Sequence, residues 1–152
     1  RVLFLNRKNG VARVVSNWIA QHTGVWFLNK EAQRKRLQNV IFPKINIQYV
    51  RSSLNRTNAT VEKYRRTLEQ NQCAFLELWY EDLFQEGVHL AKKISLINQI
   101  MTFLDHSTIS DQTTLDQMDR HFDSRRMKIA SRSLYNRIPG MEEIENEFGV
   151  LS

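Results

Sequence analysis

Four residues near one end of the chain have the types and spacing to hold an anion: Arg7, Lys8, Arg13 and Ser16. A phosphate monoester dianion wants a charged, forked donor together with a short hydroxyl or backbone donor. Arg7 and Lys8 follow a short apolar run, Val2 to Leu5, that reads as a buried strand. A side chain leaving such a strand end can swing over the flank of the following helix. Ser16 stands about two turns into that helix, beyond the reach of its dipole. Side chains would therefore carry the affinity. A second set lies in Trp79-Tyr80-Glu81-Asp82-Leu83, just past the apolar run Ala74 to Tyr80. A tyrosine at a strand end offers a π-face and a hydroxyl. The adjacent Glu81 and Asp82 point in different directions, which suits capping or pairing with the basic residues better than acid–base catalysis.

The elements that must position these groups are legible in outline. Asn9 is a plausible N-cap and Gly24 a plausible stop for a helix over about Gly10 to His22. Val11, Val14, Val15, Trp18 and His22 recur at helical spacing and form its buried face, with Ser16 at the edge. Asn29 to Gln38 is a basic amphipathic stretch, broken after Pro43. Leu54, Val61, Tyr64 and Leu68 predict a helix ending near Gln70. Ala74 to Tyr80 reads as a buried central strand. Leu90, Ile94, Ile97, Met101 and Leu104 form a further helical stripe, and Asp105 to Thr114 a polar loop. Arg120 to Arg137 is strongly basic, and Met141 to Phe148 reads as a short acidic helix. Strand, helices, strand, helix is an α/β pattern with a parallel sheet. Such sheets bind ligands beyond the carboxyl ends of their strands, where Arg7 and Tyr80 stand.

Composition narrows the partners. A formal net charge of +6 over 152 residues favours an anionic partner without naming it. No apolar run is long enough to span a bilayer. The single cysteine, Cys73, excludes an internal disulfide, and beside an apolar run it is expected as a buried thiol. The histidines at 22, 89, 106 and 121 show no metal-ligand spacing; His22 is expected as a satisfied core histidine. The sequons Asn55-Arg56-Thr57 and Asn58-Ala59-Thr60 read as chance occurrences at a polar helix start. A basic nucleic-acid-binding module is the alternative from another class. Against it, Trp18, Trp26 and Trp79 lie on apolar stripes or inside a strand, whereas stacking platforms interleave with the charge.

Leu5-Asn6-Arg7-Lys8-Asn9, then Ala12-Arg13, Val15-Ser16, Gln21 and Thr23-Gly24-Val25-Trp26 together resemble the bacterial carbohydrate sulfotransferases, which use 3′-phosphoadenosine-5′-phosphosulfate (PAPS). Tyr80-Glu81-Asp82-Leu83, followed by a helix ending in Ile100-Met101-Thr102-Phe103-Leu104, is similar to the same superfamily, as is Ser133-Leu134-Tyr135-Asn136-Arg137-Ile138-Pro139. The resemblance implies a P-loop-NTPase-like parallel sheet with flanking helices and transfer of a sulfuryl group to a hydroxyl acceptor, a carbohydrate above all. It implies Arg7 and Ser16 on the 3′-phosphate and Tyr80 beside the adenine. Lys128, Ser131 and Arg132 are possible further contacts.

The spacing in the cytosolic sulfotransferases is one residue shorter and would make Lys8 the ligand; their Asn-Pro pair is missing, and Gly140 stands where Asn is expected. The bacterial character of the first motif implies a cytoplasmic location. None of the five glycines, at 10, 24, 87, 140 and 149, belongs to a Gly-rich phosphate loop, which the family needs for the 5′-phosphosulfate. The general base of the family precedes the strand at which this sequence starts. Residues 1–152 are therefore expected to be the C-terminal part of one domain, helix-rich, without the phosphosulfate-loop half, and inactive alone. A P-loop kinase fragment is the nearest alternative within the fold.

Overall fold

The computed structural model describes residues 1–26, 31–84, 88–110, 113–114, 116–117 and 132–149. They divide into two compact units, Arg1–Lys8 with Val61–Arg125 and Asn9–Thr60 with Arg126–Ser152.

The first unit is built on a parallel strand pair. Strand β1 (Val2–Asn6) runs alongside β2 (Phe75–Trp79), with Val2 opposite Phe75 and Asn6 opposite Trp79. Alternation puts Leu3, Leu5, Leu76 and Leu78 on one face. Val2, Phe4, Asn6, Phe75, Glu77 and Trp79 share the other, where Phe4 and Phe75 meet edge to face at 6.3 Å. The expectation of two buried strands is corrected. Leu5 is 54% exposed, and only Leu78 of β2 is buried. The reason is the sheet: among the described residues it has two strands, so β1 has no neighbour on its outer side. Tyr80 is not the last strand residue but the first of a short helix, α4 (Tyr80–Phe84).

The parallel pairing needs a crossover, and residues 7–74 supply it, carrying three helices: α1 (Gly10–Thr23), α2 (Glu31–Asn39) and α3 (Ile47–Gln70). The second half of α3 belongs to the first unit. Beyond β2 and α4 runs α5 (Leu90–Phe103), whose stripe buries Ile97 and, unexpectedly, Lys93. Cys73 is exposed, contrary to expectation. It lies in the turn before β2, after Gln72 at φ 52, with its N–H on Leu68 O at 2.9 Å.

The second unit holds the larger core. Asn9 Oδ1 accepts from Ala12 N at 2.8 Å, and Gly24 adopts φ 67 and returns its N–H to Ala20 O at 2.8 Å. Both ends of α1 are thus capped as the sequence predicts. Val11, Val14, Val15, Trp18 and Ile19 are buried along it. His22 is exposed instead of buried, with a ring nitrogen bonded to Trp18 O at 2.8 Å and the ring packed on Trp18. Ile19 and Thr23 take the core side of that turn.

Helices α6 (Arg132–Tyr135) and α7 (Met141–Phe148) complete this core through Leu134, Tyr135, Met141 and Ile144, with Phe42, Ile45 and Val50. Gly140 sits at φ +89, and a Cβ there would meet Ile45 O at 2.7 Å, which explains glycine at this position. The acids of α7 are met by basic residues: Glu143 by Lys44, Glu147 by Arg51 and Glu145 by Arg132. The helix predicted from Leu54 starts earlier, at Ile47, so both sequons lie inside α3. Thr57 and Thr60 donate back to Ser53 O and Arg56 O there.

Candidate functional site

Parallel pairing brings the carboxyl ends of β1 and β2 to one edge of the sheet. Because Asn6 stands opposite Trp79, Arg7 and Tyr80 leave the sheet side by side. The Arg7 guanidinium lies over the Tyr80 ring, 4.0 Å from its centroid. Tyr80 in turn stacks on Phe84, four residues on in α4, at 4.7 Å. A planar cation on an aromatic face keeps its edge donors free for a carboxylate or phosphate. Arg7 is half-buried, and among the described residues no carboxylate pairs with it.

Lys8 is differently placed. Its peptide N–H donates to Glu81 Oε2 at 2.8 Å, and its ammonium lies 2.9 Å from Asp82 Oδ1. The same oxygen receives Lys92 at 3.0 Å. The Lys8 bond, then the Lys92 bond, holds the Asp82 carboxyl below its usual range against partial desolvation. Glu81 and Asp82 therefore order the first turn of α4 and take up Lys8, as their adjacency predicts. Of the two cations in the turn, Arg7 is the one left to meet an external anion.

Two residues that the sequence did not single out hold this turn. Asn6, buried at the end of β1, accepts the Arg7 peptide N–H on Oδ1 at 2.8 Å and donates from Nδ2 to Glu77 Oε1 at 3.4 Å. Glu77 also receives Arg65 at 2.5 Å. The available signal was a carboxylate interrupting the apolar run of β2.

Ser16 and Arg13 stand on α1 in the second unit, both half-buried. Arg132 is engaged with Glu145. Arg137 spans Leu37 O at 2.9 Å and Val40 O at 2.7 Å, closing the end of α2. These two members of the basic segment have structural work. Lys128 and Ser131 lie outside the described residues. Among the described residues no group of three or more His, Cys, Asp or Glu could hold a metal ion, and no helix is long and apolar enough to cross a membrane.

The fold and this edge define an α/β protein that presents an arginine on an aromatic ring beyond its parallel strands. The model of the Stf0 sulphotransferase family matches residues 1–127. The chain belongs to that family, and its chemistry is of the sulfuryl-transferase class. No curated protein and no solved structure matches it.

Proposed function

We propose that the protein works with PAPS as donor and a hydroxyl-bearing acceptor, a carbohydrate, and that residues 1–152 carry the part that binds the nucleotide. Arg7 meets the 3′-phosphate, Ser16 adds a hydroxyl donor to it, and Tyr80 lines the adenine. In this reading the sheet is the carboxyl-terminal part of a P-loop-NTPase-like domain. The phosphosulfate loop and general base are supplied by residues outside this sequence, and the enzyme works in the cytoplasm.

The observation that carries the reading is the Arg7–Tyr80 pair, a guanidinium without an acidic partner among the described residues, stacked on an aromatic ring at a strand end. A phosphate and a purine in one ligand ask for that combination. PAPS supplies the sulfuryl group and most of the negative charge. The residues of this chain neutralise and orient, which is the larger share of catalysis in transfers of this kind.

Calorimetric titration of the full-length protein with adenosine 3′,5′-bisphosphate, against adenosine 5′-monophosphate, tests this. Selective binding of the bisphosphate is expected. Arg7→Ala should weaken it by roughly 10- to 100-fold, the scale of a charge-assisted hydrogen bond. Lys8→Ala should have a smaller effect, since its ammonium is already neutralised. Equal binding of the two nucleotides, unaltered by Arg7→Ala, would refute the proposal.

A further inference from the structure

We propose that Glu77 and Asn6 are positioning residues for Arg7, and that the carboxylate in β2 is there to fix which end of the Asn6 amide faces the Arg7 peptide. This rests on the reading of Arg7 as the phosphate donor. Glu77 and Asn6 share one face of the sheet with Phe4, whose ring lies beneath the Arg65 guanidinium at 6.0 Å. Glu77 Oε1 takes Arg65 Nη2 at 2.5 Å, and Arg65 Nη1 is held by Glu62 Oε2 at 2.9 Å. The pairing with Glu77, the largest cause, raises the Arg65 pKa further above its ordinary value. The carboxylate is thereby kept ionised and in place.

An ionised carboxylate only accepts hydrogen bonds, so it selects the NH2 end of a neighbouring amide. Glu77 draws Asn6 Nδ2 toward itself at 3.4 Å, which turns Asn6 Oδ1 toward Arg7 N at 2.8 Å. The flipped amide would oppose Asn6 NH2 to the Arg7 N–H, donor against donor, and Asn6 NH2 would lose its acceptor. Asn6 is only 9% exposed, so water does not readily repair that error.

The following peptide, Lys8 N–H, is pinned to Glu81 at 2.8 Å. Both peptide N–H groups of the basic turn thus end on side chains anchored in or just past β1 and β2. A strand residue at 77 needs only an apolar side chain to pack. The carboxylate requires Arg65 to offset its partial burial, and what it adds is a single orientation of the turn. An arginine held this way loses less freedom on binding an anion.

The test combines two readouts on the full-length protein. Glu77→Leu removes the acceptor and keeps volume and strand propensity; Glu77→Gln retains an acceptor oxygen. Hydrogen exchange at the Arg7 amide should speed up about tenfold in Glu77→Leu, relative to the other β1 amides, and Glu77→Gln should restore most of the protection. Adenosine 3′,5′-bisphosphate should bind about fivefold more weakly to Glu77→Leu, with no added effect when Arg7→Ala is already present. Asn6→Ala breaks the relay at its middle with the Arg65–Glu77 pair intact, and should reproduce both effects if Glu77→Leu does not fold.

Unchanged exchange at Arg7 in either variant overturns the relay. An equal loss of affinity with and without the Arg7 side chain overturns the positioning role. If Arg7→Ala alone leaves bisphosphate binding unchanged while Glu77→Leu still frees the Arg7 amide, the phosphate assignment fails and the functional half of this proposal fails with it.

Discussion

Replacing Asp82 by Asn separates the two cations of the basic turn by what they are bonded to. Asp82 Oδ1 accepts Lys8 at 2.9 Å and Lys92 at 3.0 Å. The Asp82 side chain is 19% exposed, but the ammonium groups sit on side chains 53% and 63% exposed, so solvent screens both attractions. Each such pair is worth roughly 0.5 kcal/mol, and two like charges on one oxygen repel, so the pair together contributes about 1 kcal/mol. Asp82→Asn should cost that much in urea unfolding at neutral pH.

The sign with pH follows from the lowered folded pKa, caused first by Lys8 and then by Lys92. The native state holds its protons less tightly than the unfolded one, so the contribution is complete above the unfolded value, about pH 3.9, and fades as pH falls through the folded one. The wild-type advantage over Asp82→Asn should therefore disappear in acid. A difference that is the same at acidic and neutral pH would refute the ion-pair account and point to packing. In the same variant Lys8 is released beside Arg7, and binding of adenosine 3′,5′-bisphosphate at low salt should tighten a few-fold, about threefold by the same screened energies.

Gly140→Ala should lower stability by about 2 kcal/mol in thermal unfolding, because φ +89 and the approach of Ile45 O to 2.7 Å both exclude a Cβ; an unchanged melting curve would contradict the geometry. Asn9→Ala should cost about 1 kcal/mol by leaving the Ala12 N–H of α1 without its cap, and Asn9→Ser should recover most of it. Cys73 should react with a thiol reagent in the native protein as readily as in urea, since it is exposed; protection lifted only by urea would contradict its placement.

Where interactions are local, the sequence was a good guide. Asn9 and Gly24 bound α1 because capping is settled within a few residues, and Glu81 with Asp82 sits where acids favour a first turn. The apolar runs identified both strands and their parallel sense. Their exposure was not legible, because how deeply Leu3 or Leu5 is buried depends on how many strands flank β1, which no property of the run itself records. The same limit explains Arg132 and Arg137. A basic segment says that charge is present, but whether Arg132 meets a ligand or Glu145, thirteen residues on, is decided by where α7 packs. His22 was misplaced by one position on the helical wheel; Thr23 is better suited to the core because its hydroxyl is satisfied by Ile19 O at 2.8 Å.

The Arg7 turn lies in the unit with the sparser core. Among the described residues, Leu78, Leu83 and Ile97 are the buried apolar side chains of the first unit, while the main buried cluster, from Val11 to Ile144, belongs entirely to the second. Apolar burial is non-directional and would leave the orientation of a surface turn undetermined even where it is abundant. Here it is scarce, and the turn is held by Asn6, Glu77 and Arg65 on one side and by Glu81 and Asp82 on the other. Those bonds are directional, and they fix the peptide of Arg7 while leaving its guanidinium without an acidic partner among the described residues. A group that binds Arg7 adds its own free energy to a unit with little apolar burial to lose. Ligand affinity and the local stability of this edge should accordingly rise and fall together across variants of Asn6, Glu77 and Asp82, except that Asp82→Asn, by releasing Lys8, lowers the second while raising the first.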